Sequence, residues 1–386
     1  MTGLQTDCGL SCYIHIPFCV RKCPYCDFYS VPGLPVSETG YTARLGEELH
    51  HRRGWLAHDS RPLRSIFLGG GTPSMLQTGS IQAILDAVRQ CWPLEPDCEI
   101  TLEANPESCL SDKLTGWRAA GVNRISLGVQ ALSDERLKLL GRPHDRAMAL
   151  TALEGLHQAG FPRINVDLIH GTPGHTLSQW QQELEEACRW GIGHLSCYAL
   201  TVEPDTPFHR LAQQGQLHLP DDEHALALFQ FTRRFLSDHG YLPYEISNFA
   251  FPGQECRHNL NYWEFGDYLG LGAGAHGKWT DATGQTWRTE NPADVTGYHT
   301  GSFAPPFPVD SAEAGLECLM MGMRLQKGMS RARYRQITGS DPVAHYGDKM
   351  DTLLKHDLVQ VDAEYLRLTP AGTPLLDAML LHWADY

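Results

Sequence analysis

Between residues 13 and 239, short apolar runs alternate with helical spacings, and most runs end in glycine, proline or a polar residue. Strand patterns at residues 64–68, 100–103, 124–128, 163–169 and 194–200 are separated by helical patterns. The helical patterns fall at residues 79–91, 112–120, 134–140, 146–159 and 178–190, and a long amphipathic stretch at 221–239 follows. Repeated β–α units dictate parallel strands joined by right-handed crossovers. With an earlier strand near Tyr13 there are about six units, too few for a closed eight-stranded barrel. The expected fold is therefore α/β, a partial, open (β/α)6 barrel whose chemistry sits at the carboxyl ends of its strands.

The first strand pattern, Tyr13-Ile14-His15-Ile16-Pro17-Phe18, runs into Cys19, Cys23 and Cys26, spaced C-x3-C-x2-C. Thiolate sites for zinc or iron–sulfur clusters normally take four protein ligands, so three cysteines on one loop leave a corner open. Two plainer readings attach to the same residues: a disulfide pair with a spare thiol, and a Cys3His zinc site recruiting His15. Disulfides go with secretion, and the amino terminus shows no basic stretch followed by an apolar core. Of the 12 cysteines, Cys91, Cys98, Cys109, Cys188, Cys197 and Cys318 have no ligand spacing and read as bystanders.

A formal net charge of −14 argues against a nucleic acid partner, which a basic footprint would attract. No run of about 18 uncharged apolar residues occurs, so no transmembrane segment is expected, and the reading is cytoplasmic.

Gly69-Gly70-Gly71-Thr72-Pro73 follows a strand and lets backbone approach a ligand closely. Taken singly, a glycine run marks a turn, and Glu103, Gln130, Arg142 and Asp167 read as strand-end caps or surface ion pairs. Taken in order at successive strand ends, with the cysteine loop ahead of them, they resemble the radical S-adenosylmethionine (SAM) superfamily. Over nearly its whole length the chain resembles the oxygen-independent coproporphyrinogen oxidase family of those proteins, and within it the heme-chaperone branch. The resemblance implies a [4Fe–4S] cluster on Cys19, Cys23 and Cys26, with SAM on the open iron. It carries Tyr13, Gly70, Gly71, Thr72, Glu103, Gln130, Arg142 and Asp167 over as SAM contacts, with Tyr25 beside the third cysteine. Thr201 and His276 match positions near a second SAM in the oxidase branch.

Cys256-Arg257-His258-Asn259-Leu260-Asn261-Tyr262-Trp263 matches the HNxxYW signature of the chaperone branch. On the residues alone, a His beside an Asn in a polar loop reads as a hydrogen-bonding loop residue; the resemblance implies instead His258 as a heme-iron ligand, Cys256 as a second, and Tyr262 and Trp263 as aromatic surface. The oxidase branch has a further cysteine two residues past the third, where Phe28 stands here, and a longer arm than the 18 residues that precede Cys19. The resemblance thus implies a heme carrier that passes heme to an unidentified acceptor protein. The alternative is an oxygen-independent coproporphyrinogen III oxidase. An electron donor such as flavodoxin or ferredoxin is implied if SAM is cleaved. The domains expected are 1–240 for the barrel, 241–308 for a barrel-closing or connecting region with the heme motif, and 309–386 for a helical, winged-helix-like unit with a β ribbon at 358–362 and 365–368 and a last helix at 369–383.

Overall fold

A computed structural model describes residues 9–57 and 59–384, so the first eight residues of the short arm lie outside the described residues. The chain opens with β1 (Leu10–Ile16) and α1 (Glu38–Trp55), then β2 (Leu63–Gly70), α2 (Thr78–Cys91), β3 (Leu94–Ala104), α3 (Ser111–Ala120) and β4 (Arg124–Gln130). After α4 (Asp134–Leu139) and α5 (Arg146–Gln158) come β5 (Arg163–His170), α6 (Leu177–Ala187), β6 (His194–Ala199), α7 (Pro207–Gln213) and α8 (Asp222–Asp238). Helix starts carry the side chains expected of them: Ser37, Asp145 and Asp221 accept from backbone N–H groups of α1, α5 and α8, and Thr176 with Gln179 forms a capping box on α6.

Strands β1 to β6 lie side by side in sequence order, all parallel, as a singly wound α/β barrel requires. After α9 (Arg257–Trp263), the chain returns to the other side of β1 as a parallel β7 (Asp267–Leu271). Three antiparallel strands extend that flank, β8 (His276–Thr280), β9 (Thr286–Glu290) and β10 (Phe307–Val309). The sequence reading named none of these four strands. Among the described residues no ladder joins the two ends of the sheet, so the barrel is partial.

Side chains alternate across a strand, and here the alternation sorts them by chemistry. Ile14, Leu68, Leu102, Leu127, Val166 and Leu195 face the helices in one core with Leu49, Val88, Trp117, Leu156 and Trp180. Each such aliphatic or aromatic burial is worth ~1.5–3 kcal/mol. The opposite face carries Ser11, Ser65, Thr101, Arg124, Ser126, Asn165 and His194, buried and polar. Buried polar groups need partners, and these supply one another: Ser65 donates to Ser11 at 2.8 Å, and Asn165 donates to Ser126 at 2.7 Å.

A second core gathers Phe265, Leu319, Met323, Tyr334, Met350, Leu366 and Trp383. Arg324 ties it to the barrel through Glu245 at 3.0 Å and stacks over Trp263 at 4.6 Å. Its ribbon has a third strand, Met329–Ser330, on the free side of Tyr365–Leu368, whose other side pairs with Val359–Val361. The last helix is Leu376–Trp383, shorter than expected, because Gly372 and Pro374 interrupt the pattern with a short 3₁₀ turn. No helix among the described residues is long and apolar enough to cross a membrane.

Candidate functional site

β1 delivers the cysteine loop to the mouth of the barrel, where the carboxyl ends of the parallel strands lie. The loop is pinned at its base, where Val31 N–H donates to the Pro17 carbonyl at 2.7 Å and Gly33 N–H to that of Cys19 at 2.9 Å. Its far side rests on α4 and α7. The Pro24 carbonyl accepts from Phe208 N–H at 3.0 Å, and Gly141, at φ 68°, has room for no side chain because a Cβ would come within 2.5 Å of Pro24. Tyr25 packs beside Phe208 in a small apolar cluster with Leu137, Leu140 and Ile169.

Among the described residues no group of three His, Cys, Asp or Glu side chains is gathered at metal-holding separation. The thiols share the loop, each with its own neighbours. Burial pushes the Cys26 thiol up to about 11, so ligation there would release its proton.

The glycine run ends β2 against the root of this loop. Gly71 N–H donates to the Ile16 carbonyl at 2.8 Å and Thr72 N–H to that of Phe18 at 2.7 Å. A Cβ on Gly71 would lie 2.7 Å from the Phe18 oxygen and 3.0 Å from Cys19 Sγ, and one on Gly70, at φ 112°, would strike the His15 ring. That ring is clamped: Nε2 meets the Tyr29 carbonyl at 2.8 Å and Nδ1 the Tyr13 hydroxyl at 2.9 Å. The carbonyl can only accept, so Nε2 carries the proton and Tyr13 donates to Nδ1.

A hydrogen-bonded circuit then links two of the cysteines. Thr72 Oγ1 donates to Cys19 Sγ at 3.4 Å and accepts from Asn105 Nδ2 at 3.3 Å. Asn105 Oδ1 accepts from Arg142 at 2.5 Å, and the same guanidinium reaches the Gly128 carbonyl at 3.0 Å and Cys23 Sγ at 3.8 Å. Burial opposes the Arg142 charge, but Tyr25, Cys23 and Glu107 around it raise its pKa above the ordinary value. Its Nε is buried without a partner, leaving donor capacity at the mouth. The sequence reading missed Asn105; its only signal was the Asn105-Pro106 pair closing β3.

Glu103 accepts from Gly70 N–H at 3.0 Å. Burial, with the neighbouring Asp167 charge, pushes its carboxyl up to about 7. Asp167 is raised by burial too, against donors from Ser196, Asn165 and Ser126. Gln130 ends β4 at φ 69°, a left-handed conformation that a non-glycine residue rarely adopts and that is often found at functional sites. The fold brings Tyr13, Tyr25, Gly70, Gly71, Thr72, Glu103, Gln130, Arg142 and Asp167 toward the cysteine end of the barrel: Tyr25 on the loop, Tyr13 and Asp167 within β1 and β5, Gly70 to Thr72, Glu103 and Gln130 at or beside the ends of β2, β3 and β4, and Arg142 between α4 and α5, not at a strand end.

His258 packs behind Tyr13, their ring centroids 6.2 Å apart. The HNxxYW segment is a helix, α9, and not the polar loop expected, because Cys256 begins a turn that runs to Trp263. His258 is 1 % exposed, with Nδ1 on Ser65 at 2.9 Å, Nε2 on the Tyr262 hydroxyl at 3.1 Å and its ring stacked on Phe67. Burial pushes its pKa down to about 3. Cys256 is buried against Glu99 at 3.4 Å. His276 stands on the rim of β8 with Glu290 4.0 Å away, and Thr201 lies exposed just past β6.

The fit of the residues to a cluster with SAM rests on the donor set: three thiols on one loop, glycines shaped for close approach, and a buried guanidinium with a spare donor beside them. The pattern of the Radical SAM superfamily matches residues 13–187, and that of the HemN C-terminal domain matches 309–375. The chain is 38% identical to the heme chaperone HemW of Escherichia coli over 96% of its own length and 97% of that protein's. It is 36% identical to the heme chaperone HemW of Haemophilus influenzae, over 96% and 97%. The solved structure of Escherichia coli coproporphyrinogen III oxidase (HemN), a radical SAM enzyme, superposes with a TM-score of 0.79 over 98% of this chain and 90% of that one, at 22% identity.

Proposed function

The chain belongs to the heme chaperone HemW family within the radical SAM superfamily, and from that membership we propose that it binds heme and delivers it to an acceptor protein. The observation that carries this reading is the 38% identity to a heme chaperone across 96% of the chain, since the oxidase shares the fold at only 22% identity. A [4Fe–4S] cluster and SAM are the cofactors of the superfamily, and together they supply one-electron chemistry when bound.

Cys19, Cys23 and Cys26 are the residues we assign to the cluster. Thr72 and Arg142 already direct hydrogen bonds at two of their sulfurs, which favours thiolates in a buried loop. For SAM, the Arg142 guanidinium suits the methionine carboxylate, because an unpartnered buried donor gains most from a charged acceptor. Glu103, with its pKa near 7, can accept from an amino group or donate to a ribose oxygen near neutrality. Asp167, Gln130 and Tyr13 line the same end of the barrel. Heme contact is assigned to residues 256–263, and ligation by His258 requires its ring to leave Ser65 and Tyr262.

Anaerobically purified protein should contain iron and acid-labile sulfide in equal amounts and fail to convert coproporphyrinogen with SAM and a reductant. Stoichiometric zinc without sulfide would remove the cluster reading. Steady formation of protoporphyrinogen would replace the carrier with the oxidase. An electron donor such as flavodoxin or ferredoxin is part of the proposal only where SAM is cleaved.

A further inference from the structure

We propose that Asn105 is a positioning residue: its amide aims the Arg142 guanidinium and, through Thr72, the hydrogen bond to Cys19. The inference rests on reading this mouth as the SAM site. It concerns a residue that neither the motif nor the resemblance points to.

The amide's orientation follows from its partners. Arg142 can only donate, so the atom facing it at 2.5 Å is Oδ1, and Nδ2 is left to donate to Thr72 Oγ1 at 3.3 Å. The Thr72 hydroxyl, having accepted, spends its own proton on Cys19 Sγ at 3.4 Å. One side chain thus governs hydrogen bonds arriving at Cys19 and, through Arg142, at Cys23.

Its own backbone is fixed. A residue before proline is held extended, and Asn105 sits at φ −102°, ψ 148° ahead of Pro106. Its N–H donates to Ser74 Oγ at 3.3 Å, and its carbonyl accepts from Ser108 Oγ at 2.7 Å. Ser74 Oγ, having accepted from that N–H, donates its own proton to Ser108 Oγ at 2.6 Å, closing a small rigid frame. A side chain on such a frame can hold a flexible guanidinium in one orientation, with Nε unpartnered and the donor fork pre-set for a carboxylate. Without the amide, Arg142 keeps the Gly128 carbonyl, Cys23 and Tyr25 as anchors.

The test is SAM affinity, measured by calorimetry on cluster-loaded, oxidised protein, in wild type, Asn105→Ala, Arg142→Ala and the double variant. Asn105→Ala should raise the Kd about 5–30-fold, less than the roughly 10–150-fold for losing a charge-assisted hydrogen bond outright, because the arginine stays and only its aim is lost. In the Arg142→Ala background the same change should add less than about twofold, because the residue acts through the arginine. The midpoint potential of the cluster should also fall in Asn105→Ala, since hydrogen bonds to the sulfurs favour the reduced form; a merely structural role would leave it unmoved. If Asn105→Ala does not load a cluster, Asn105→Ser, which keeps a small polar group on the same frame, takes its place with the same expectations. A Kd within twofold of wild type, or an equal loss in both backgrounds, overturns the inference while the SAM site stands. If Arg142→Ala itself leaves the Kd unchanged, the reading of the site fails and the inference falls with it.

Discussion

At the scale of single residues, the mouth is built from positions where one atom more or less changes what fits. Gly70 combines φ 112° with a His15 ring where a Cβ would stand. Gly70→Ala should therefore lower the unfolding free energy by ~2–4 kcal/mol, combining backbone strain and a forced shift of a buried ring. An unchanged urea midpoint would refute that account of the glycine. Arg142 was legible only through the resemblance, since on its own it read as a strand-end cap or surface ion pair; Asn105, Gly128 and Cys23 meet it only once the strands are side by side. Arg142→Ala should weaken SAM binding by ~1.5–3 kcal/mol, the value of a charge-assisted bond in a buried setting. Calorimetry showing unaltered affinity would remove Arg142 from the site.

Among elements, the cysteine loop is held as much by α7 as by its own turn. Phe208 is 2 % exposed, and its N–H holds the Pro24 carbonyl. Phe208→Ala should cost ~3–5 kcal/mol as a core truncation. It should also speed the loss of iron to a chelator several-fold, while a release rate equal to wild type would show that the loop does not depend on this dock. The strands of the barrel were legible because six short apolar runs share one period. Their polar faces were not recognised: the alternation in Ser11-Cys12-Tyr13-Ile14-His15-Ile16 or Asn165-Val166-Asp167-Leu168 places the polar side inward, against the usual sense. The strands after α9 escaped because each is at most five residues long and the group joins the sheet through β7 alone, which pairs with β1 from far along the chain. α9 read as a loop because Asn259 and Asn261 disfavour helix locally, whereas Tyr262 and Trp263 pack against neighbours that only the fold supplies.

In the molecule as a whole, buried histidines set the response to acid. Burial lowers His170 to about 4 and His175 and His258 to about 3, and it holds His194 well below 6.5 as well. Between those values and 6.5 the unfolded chain binds more protons than the native one, so stability is lost as pH falls through that window. Each group contributes up to ~1.4 kcal/mol per pH unit. Glu103, raised from 4.5 to about 7, acts in the opposite sense between those two values, as does Asp167, raised above its ordinary value by burial, with more protons bound in the native state. Four histidines outweigh these two carboxyls below about pH 6, so the urea midpoint should be lower at pH 5 than at pH 7. A midpoint equal or higher at pH 5 would contradict this balance.

The central claim is that this protein carries heme, and the most direct test is an anaerobic absorbance titration of the cluster-loaded protein with heme, run against an unrelated acidic protein. The account predicts saturable binding with a shifted heme band, at one heme per chain, that persists when Cys19→Ala has removed the cluster. A linear, unsaturated response no greater than that of the control protein would contradict it.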